Sequence, residues 1–94
     1  MKLVDPTDFE ILQALSDGKR NTAANLAIEL DRDRAYLNSR LPVLADYGLL
    51  NQVGPAERSG LYEITERGIA AAEHREAYRR DDVDFEERIE AVLE

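Results

Sequence analysis

Apolar residues in the first half of the chain recur at helical spacing in short segments that turn residues separate. In the first segment, Asp5 and Pro6 predict a helix start, and Gly18 predicts its end. The apolar positions between them are Phe9, Ile11, Leu12 and Leu15. A second helix is predicted after a cap at Asn21 or Thr22. Its apolar positions are Ala23, Leu26, Ala27 and Leu30.

The third predicted helix begins after Asp33, which is suited to cap its first turn, and Gly48 predicts its end. Three leucines at intervals of four and three residues share one face of it: Leu37, Leu41 and Leu44. Because proline lacks an N–H, Pro42 predicts a kink or an irregular turn inside this helix. About three residues separate the second and third helices, which is the spacing of a helix-turn-helix.

After Gly48 the pattern changes to two short extended segments, which predict a β-hairpin. Residues 49–53 form the first strand, and residues 61–65 form the second, in which apolar and polar side chains alternate. The stretch 54–60 contains glycine, proline and serine, so it is predicted to be the connecting loop. Tyr62 and Ile64 are expected to share one face of the hairpin.

Two further helices are predicted after the hairpin. The first starts near Thr65, with Ile69, Ala72 and Tyr78 as candidate packing residues. The second covers residues 82–94 and is amphipathic, with one apolar face at helical spacing: Phe85, Ile89, Val92 and Leu93. This apolar face needs a partner, so the last helix either folds back onto its own domain or pairs with a second copy of the chain.

The segment from Leu30 to Leu50 resembles the recognition-helix region of winged helix-turn-helix regulators, a capped helix with a characteristic ending. The ending consists of Leu41, Leu44, Gly48, Leu49 and Leu50. Residues 60–68 resemble the strand-to-helix step that follows the wing in the same families. Because the chain is acidic and has ten arginines but two lysines, it is similar to the phage phi-H repressor-like regulators of halophilic archaea. The broad resemblance covers about residues 7–80.

The resemblance implies a mainly α fold with a small β-hairpin, in which a three-helix core, a two-stranded wing and C-terminal helices form a winged helix-turn-helix. We expect a domain over residues 1–80 and an acidic amphipathic helix over residues 81–94. The implied function is sequence-specific binding of double-stranded DNA in transcriptional regulation, usually as a homodimer and commonly with repression as the outcome.

The formal net charge of −8 argues against binding to a polyanion, but its distribution weakens that objection. Residues 81–94 contain seven acids and one base, whereas residues 19–58 contain six bases and five acids. The acidity is therefore concentrated at the C-terminus, and the predicted DNA-binding region is close to neutral. Acidic, lysine-poor surfaces are typical of proteins from high-salt cytoplasm, although an ordinary acidic protein with one acidic tail has the same composition.

Several residues of the predicted recognition helix lie outside its leucine face. We expect contact with DNA at Arg34, Ala35, Tyr36, Asn38, Ser39 and Arg40. Small and aromatic side chains suit thymine methyl groups, the amide and hydroxyl suit base edges, and the arginines suit guanine or phosphate. Each of these residues is alternatively an ordinary solvated helix residue.

Further contacts are expected outside the recognition helix. Thr22 lies at a helix N-terminus, where it suits a phosphate oxygen and serves equally well as a cap alone. Arg32 is a candidate for a phosphate contact of low specificity. Arg58 and Ser59 lie at the predicted wing tip, where a basic residue commonly enters the minor groove or contacts phosphate. A loop residue that only keeps the turn soluble is the alternative there.

The sequence contains little that could form a catalytic or metal site, so an enzyme, a metal and a cofactor are not expected. His74 is the only histidine and there is no cysteine, whereas metal sites usually need several such ligands. No apolar run reaches about 18 residues and the N-terminus lacks a signal-peptide core, so the cytoplasm is the expected location. The main alternative to DNA binding is a winged-helix module for protein–protein association, which the acidic charge favours.

Overall fold

The computed structural model of the chain describes residues 1–54, 60–80 and 82–94. These residues form a mainly helical fold with one small antiparallel sheet, as the sequence predicts. The elements are α1 (Thr7–Ala14), β1 (Asn21–Thr22), α2 (Ala23–Leu30), α3 (Arg34–Asp46), β2 (Leu50–Val53), β3 (Leu61–Ile64), α4 (Glu66–Glu73), α5 (Arg75–Tyr78) and α6 (Phe85–Leu93).

The start of α1 differs from the sequence prediction. Pro6 occupies the N-cap position, and no side chain caps the helix. Asp5, the predicted cap, instead forms ion pairs with Arg75 of α5 and with Arg79, the C-cap residue of that helix. The prediction at Asp5 is wrong because distant arginines, which local sequence cannot reveal, compete for its carboxylate. The helix also ends four residues before Gly18, and a turn leads to that glycine at φ 82°.

The starts of α2 and α3 follow the sequence. The Oγ1 atom of Thr22 accepts the Asn25 N–H at 3.2 Å, so Thr22 is the cap of α2. The carboxylate of Asp33 accepts the Tyr36 N–H at 2.9 Å and caps α3 as predicted. The α3 helix continues across Pro42 to its last residue, so an irregular turn is absent there.

The predicted hairpin is present and belongs to a three-stranded sheet. β2 and β3 pair antiparallel, with Leu50 opposite Ile64, and β1 pairs with the other edge of β3, with Asn21 opposite Tyr62. The strand order is therefore β1-β3-β2. β1 was not predicted, because its two residues between two helices show no alternation of apolar and polar side chains.

The predicted helix after the hairpin is interrupted at His74, which separates α4 from α5. Ile69, a predicted packing residue, is 37% exposed. Small side chains instead form the buried face of these two helices: Ala70, Ala71 and Ala77. Ala72 and Tyr78 pack against the core while remaining partly exposed. Alanines at the contact allow the backbones of packed helices to approach each other closely. The prediction was based on the spacing of large apolar residues and therefore did not identify these alanines as the buried face.

The C-terminal helix α6 folds back against α4 and α5. Ile89 is fully buried, and the ring of Phe85 meets those of Phe9 and Tyr78, with centroids 6.2 and 5.0 Å away. Of the two alternatives open at the level of sequence, this chain folds the helix onto its own core. The last two apolar side chains of the helix remain 46% and 38% exposed: Val92 and Leu93.

A close contact joins the start of α4 to the turn that follows α3. The hydroxyl of Thr65 donates to the Gly48 carbonyl oxygen at 2.7 Å and accepts the Gly68 N–H at 3.0 Å. A Cβ atom on Gly68 would collide with the carbonyl oxygen of Leu49, so only glycine fits this position. The sheet and the C-terminal helices are thereby fixed to the end of α3.

One hydrophobic core contains residues from α1, α2, α3, α4 and α6. Its fully buried large side chains include Phe9, Ile11, Leu12, Leu15, Leu26, Leu37, Leu41, Leu44, Leu49, Leu50 and Ile89. Among the described residues, no helix has the length and apolar composition needed to cross a membrane.

Candidate nucleic-acid interface

The α3 helix presents one buried and one exposed face. Its three stripe leucines, Leu37, Leu41 and Leu44, are fully buried, which confirms the predicted core face. Most of the predicted DNA-contacting positions lie on the exposed face in the first half of the helix: Arg34, Ala35, Tyr36, Asn38 and Ser39. This half follows the short turn, as it does in a recognition helix that enters the major groove by its N-terminal residues.

The turn between α2 and α3 consists of residues 31–33, as predicted. Asp31 adopts the left-handed conformation at φ 54°, and the Arg32 N–H donates to the Ala27 carbonyl oxygen at 2.9 Å. The guanidinium of Arg32 donates to Glu10 Oε1 from two nitrogens, at 3.1 and 2.6 Å. Arg32, predicted to contact phosphate, is therefore already paired with α1, although its side chain remains 35% exposed.

Among the described arginines predicted to contact DNA, Arg34 has the charge that is most available to a ligand. It is exposed at the first position of α3, and none of the ion pairs between described residues includes it. Three exposed acids, Asp31, Asp33 and Asp46, lie in or next to the same helix and reduce the local positive potential. The electrostatic attraction of this surface for phosphate is consequently weak, so selective contacts would have to supply more of the binding energy.

One polar group on the exposed face of α3 already forms a hydrogen bond within the helix. The Ser39 hydroxyl donates to the Tyr36 carbonyl oxygen at 2.5 Å, which leaves its oxygen free to accept a hydrogen bond. The Tyr36 side chain is 38% exposed. Asn38 is exposed and retains both amide functions for a base edge.

Arg40, also predicted to contact DNA, points into the protein. Its Nε atom donates to Asp8 Oδ1 at 3.0 Å, and its Nη2 atom donates to Asp8 Oδ2 at 2.7 Å. Asp8 is fully buried, and the Arg40 side chain is 17% exposed. Hydrogen bonding to the Asp8 carboxylate raises the pKa of the Arg40 guanidinium. The structure thus places the arginine in a buried bidentate pair with α1.

Asp8 was not predicted to belong to this site, although the sequence contains a signal for it. Asp8 precedes Ile11, Leu12 and Leu15 by three, four and seven residues, so it shares their helical face. A carboxylate on an apolar face needs a buried partner, because an unpaired buried charge is costly. The identity of the partner could not be deduced, since Arg40 lies 32 residues further along the chain.

The remaining predicted contacts lie around α3. Thr22 is half-buried, caps α2 and pairs with β3, so its capping role is established. Arg58 and Ser59 lie outside the described residues. Pro42, Ala45, Gln52 and Tyr62 line an open hollow between the second half of α3 and the hairpin. Burial raises the pKa of Tyr62 there.

His74 lies at the junction of α4 and α5, and its Nδ1 atom is 2.9 Å from the Ala70 carbonyl oxygen. Across residues 1–54, 60–80 and 82–94, no three histidine, cysteine or acidic side chains come together in a way that could hold a metal ion.

A comparison with models of known protein families gives no match, and comparisons with curated proteins and with solved structures give none either. Function is therefore inferred from the residues of this chain and from the arrangement of its elements.

Proposed function

We propose that this chain is a winged helix-turn-helix module that binds double-stranded DNA with sequence specificity and acts in transcriptional regulation. The observation that carries the proposal is the first half of α3. It follows a three-residue turn after α2, is held by a fully buried leucine stripe, and exposes Arg34, Asn38 and Ser39 together.

The order of elements also supports this function. The helices α2 and α3, joined by a three-residue turn, are followed directly by the β2–β3 hairpin, to which we assign the role of a wing. In such modules the second helix of the pair enters the major groove, and the hairpin lies beside it. The acidic helix α6 belongs to the other end of the chain and packs on α4 and α5 with its apolar face, which leaves its acidic side chains exposed.

The test is selection of binding sites from a random duplex library at several salt concentrations. We expect enrichment of one motif by the wild-type chain. The variants Arg34→Ala and Ser39→Ala should each weaken binding to that motif by about tenfold, since one good base contact contributes about 1–3 kcal/mol. Arg79→Ala is the matched control, because it removes an exposed arginine at the C-cap of α5, outside the α2–α3 pair. An equal effect of all three variants would contradict the docking of α3.

We further propose that the chain binds DNA as a homodimer and represses transcription. The exposed Val92 and Leu93 at the end of α6 support a contact between two copies. A two-fold motif with half-sites about one helical turn apart would support a dimer, and a single unpaired half-site would contradict it. Sedimentation of Val92→Ser against the wild type tests the contact itself. A reporter gene that carries the enriched motif tests repression.

A second candidate function is protein–protein association by the same fold. Ile28 is 84% exposed on α2, and the chain has a formal net charge of −8. Both features favour a protein surface over a nucleic-acid surface. If the wild-type chain enriches no sequence across the whole salt range, this second function becomes the better explanation of the fold.

A further inference from the structure

The pair between Asp8 and Arg40 has a geometry that fixes orientation. Two parallel hydrogen bonds, at 3.0 and 2.7 Å, align the guanidinium of α3 with the carboxylate of α1. A bidentate pair of this kind constrains direction as well as distance. Hydrophobic contacts have no such directionality, and cores accept repacking of similar volumes. The leucine stripe therefore holds α3 against the core, while the pair restricts its rotation.

The residues before α1 connect the carboxylate to a second point on α3. Asp8 Oδ2 also accepts the Val4 N–H at 2.7 Å. In the same segment, the Lys2 N–H donates to the hydroxyl of Tyr47, the C-cap residue of α3, at 3.0 Å. Arg40 and Tyr47 are seven residues apart, which is about 10 Å along a helix. Contacts at two separated points define both the rotation and the direction of α3.

We propose that Arg40 is a positioning residue that, through Asp8, sets the rotation of α3 and so aligns Arg34, Asn38 and Ser39 with the bases, without contacting DNA itself. This inference rests on the proposed DNA-binding function. A rotation of about 20° would move a side-chain tip about 6 Å from the helix axis by about 2 Å. Productive polar contacts require placement within about 0.5 Å, so a small rotation is enough to remove specificity.

The experiment measures affinity for the selected duplex and for a scrambled duplex of equal length, each at several salt concentrations. The variants are Arg40→Gln, Asp8→Asn and the double variant, with Arg79→Gln as the control. We expect each single variant to lose at least about tenfold in affinity for the selected duplex and less than about twofold for the scrambled one. The double variant should lose no more than either single variant, because both remove the same constraint.

A direct contact between Arg40 and DNA gives a different result. Arg40→Gln would then weaken binding to both duplexes and lower the salt slope by about one, while Asp8→Asn would leave specific binding intact. That outcome would overturn the proposal. Circular dichroism of each variant identifies any that fail to fold. Arg40→Lys serves in their place, because lysine keeps the charge but cannot form the two parallel hydrogen bonds. Retention of full specificity by a folded Arg40→Lys variant would also overturn the proposal.

Hydrogen exchange separates failure of this inference from failure of the proposed function. In Arg40→Lys we expect at least about tenfold faster exchange of amides in residues 36–41 of α3, with unchanged exchange in α6. This readout needs no DNA, so it remains decisive if the wild-type chain enriches no sequence. Unchanged protection in α3 would show that the pair does not position the helix.

Discussion

Two aspartates three residues apart, Asp5 and Asp8, use the same chemistry in different surroundings. Asp8 is fully buried and pairs with one arginine of α3. Asp5 lies near the surface and shares its two oxygens between Arg75 of α5 and Arg79, the C-cap residue of that helix. The first pair is largely buried, so water competes with it little, whereas the second is screened by solvent and salt. Because it is buried, the Asp8–Arg40 pair is expected to stabilise the fold more than the ion pairs of Asp5 do.

The largest expected effect in this comparison is that of Asp8→Asn. The substitution leaves the inward-pointing Arg40 without its counter-charge, and breaking a buried pair typically costs about 3–5 kcal/mol of unfolding free energy. Because the Arg40 side chain is 17% exposed, we expect a loss of about 3 kcal/mol. Urea unfolding monitored by circular dichroism gives the value. Asp46→Asn, an exposed site on α3, is the control and should change stability by less than about 0.5 kcal/mol.

An intermediate effect is expected for Arg75→Gln. Arg75 pairs with Asp5, and its guanidinium carbon also lies 5.5 Å from the centroid of the Phe9 ring. Loss of this contact and of the ion pair should lower the unfolding free energy by about 1 kcal/mol. Arg79→Gln removes a partner of the same carboxylate that has no such ring contact, so its effect should be smaller. If both variants unfold at the same urea concentration, the ring contact adds nothing.

The smallest effect, expected for Asp5→Asn, depends on pH. Hydrogen bonds from Arg79 and Arg75 lower the pKa of Asp5 from 3.8 to about 2. A lowered pKa contributes stability above the unfolded value, and that contribution is lost as pH falls through the folded value. The variant should therefore melt below the wild type at neutral pH, and the two melting temperatures should converge between about pH 4 and about pH 2.

Added salt is expected to reduce the effect of Asp5→Asn at neutral pH and to leave that of Asp8→Asn almost unchanged, because screening acts mainly on exposed charges. Equal salt sensitivity of the two variants would remove the distinction between the two pairs.

Several elements of the fold could be predicted from local patterns in the sequence alone. The leucine stripe of α3, the cap at Asp33, the three-residue turn and the β2–β3 hairpin all follow from spacing and residue type. Helical periodicity and capping are interactions between residues a few positions apart, so the chain determines them without knowledge of the fold.

The candidate interface was only partly determined in this way. Spacing turned Ala35, Tyr36 and Ser39 away from the core, and the structure has them exposed. Arg34, predicted on the flank of the helix, is exposed as well. Arg40 was also predicted to contact DNA. Its position on the flank of the helix allows the side chain to point either toward the core or toward solvent. Its contact with Asp8 depends on how α1 packs against α3, which is a tertiary relationship.

The sequence by itself determined where α2, α3 and α4 begin, which face of α3 is apolar, and that a mainly helical fold with a hairpin results. The tertiary structure alone decided that β1 joins the sheet, that α6 folds back onto α4, and that Arg40 faces the core. These features join residues distant in the chain. The free energy that selects them comes from packing and from the pairing of charges that packing buries, which no local pattern records.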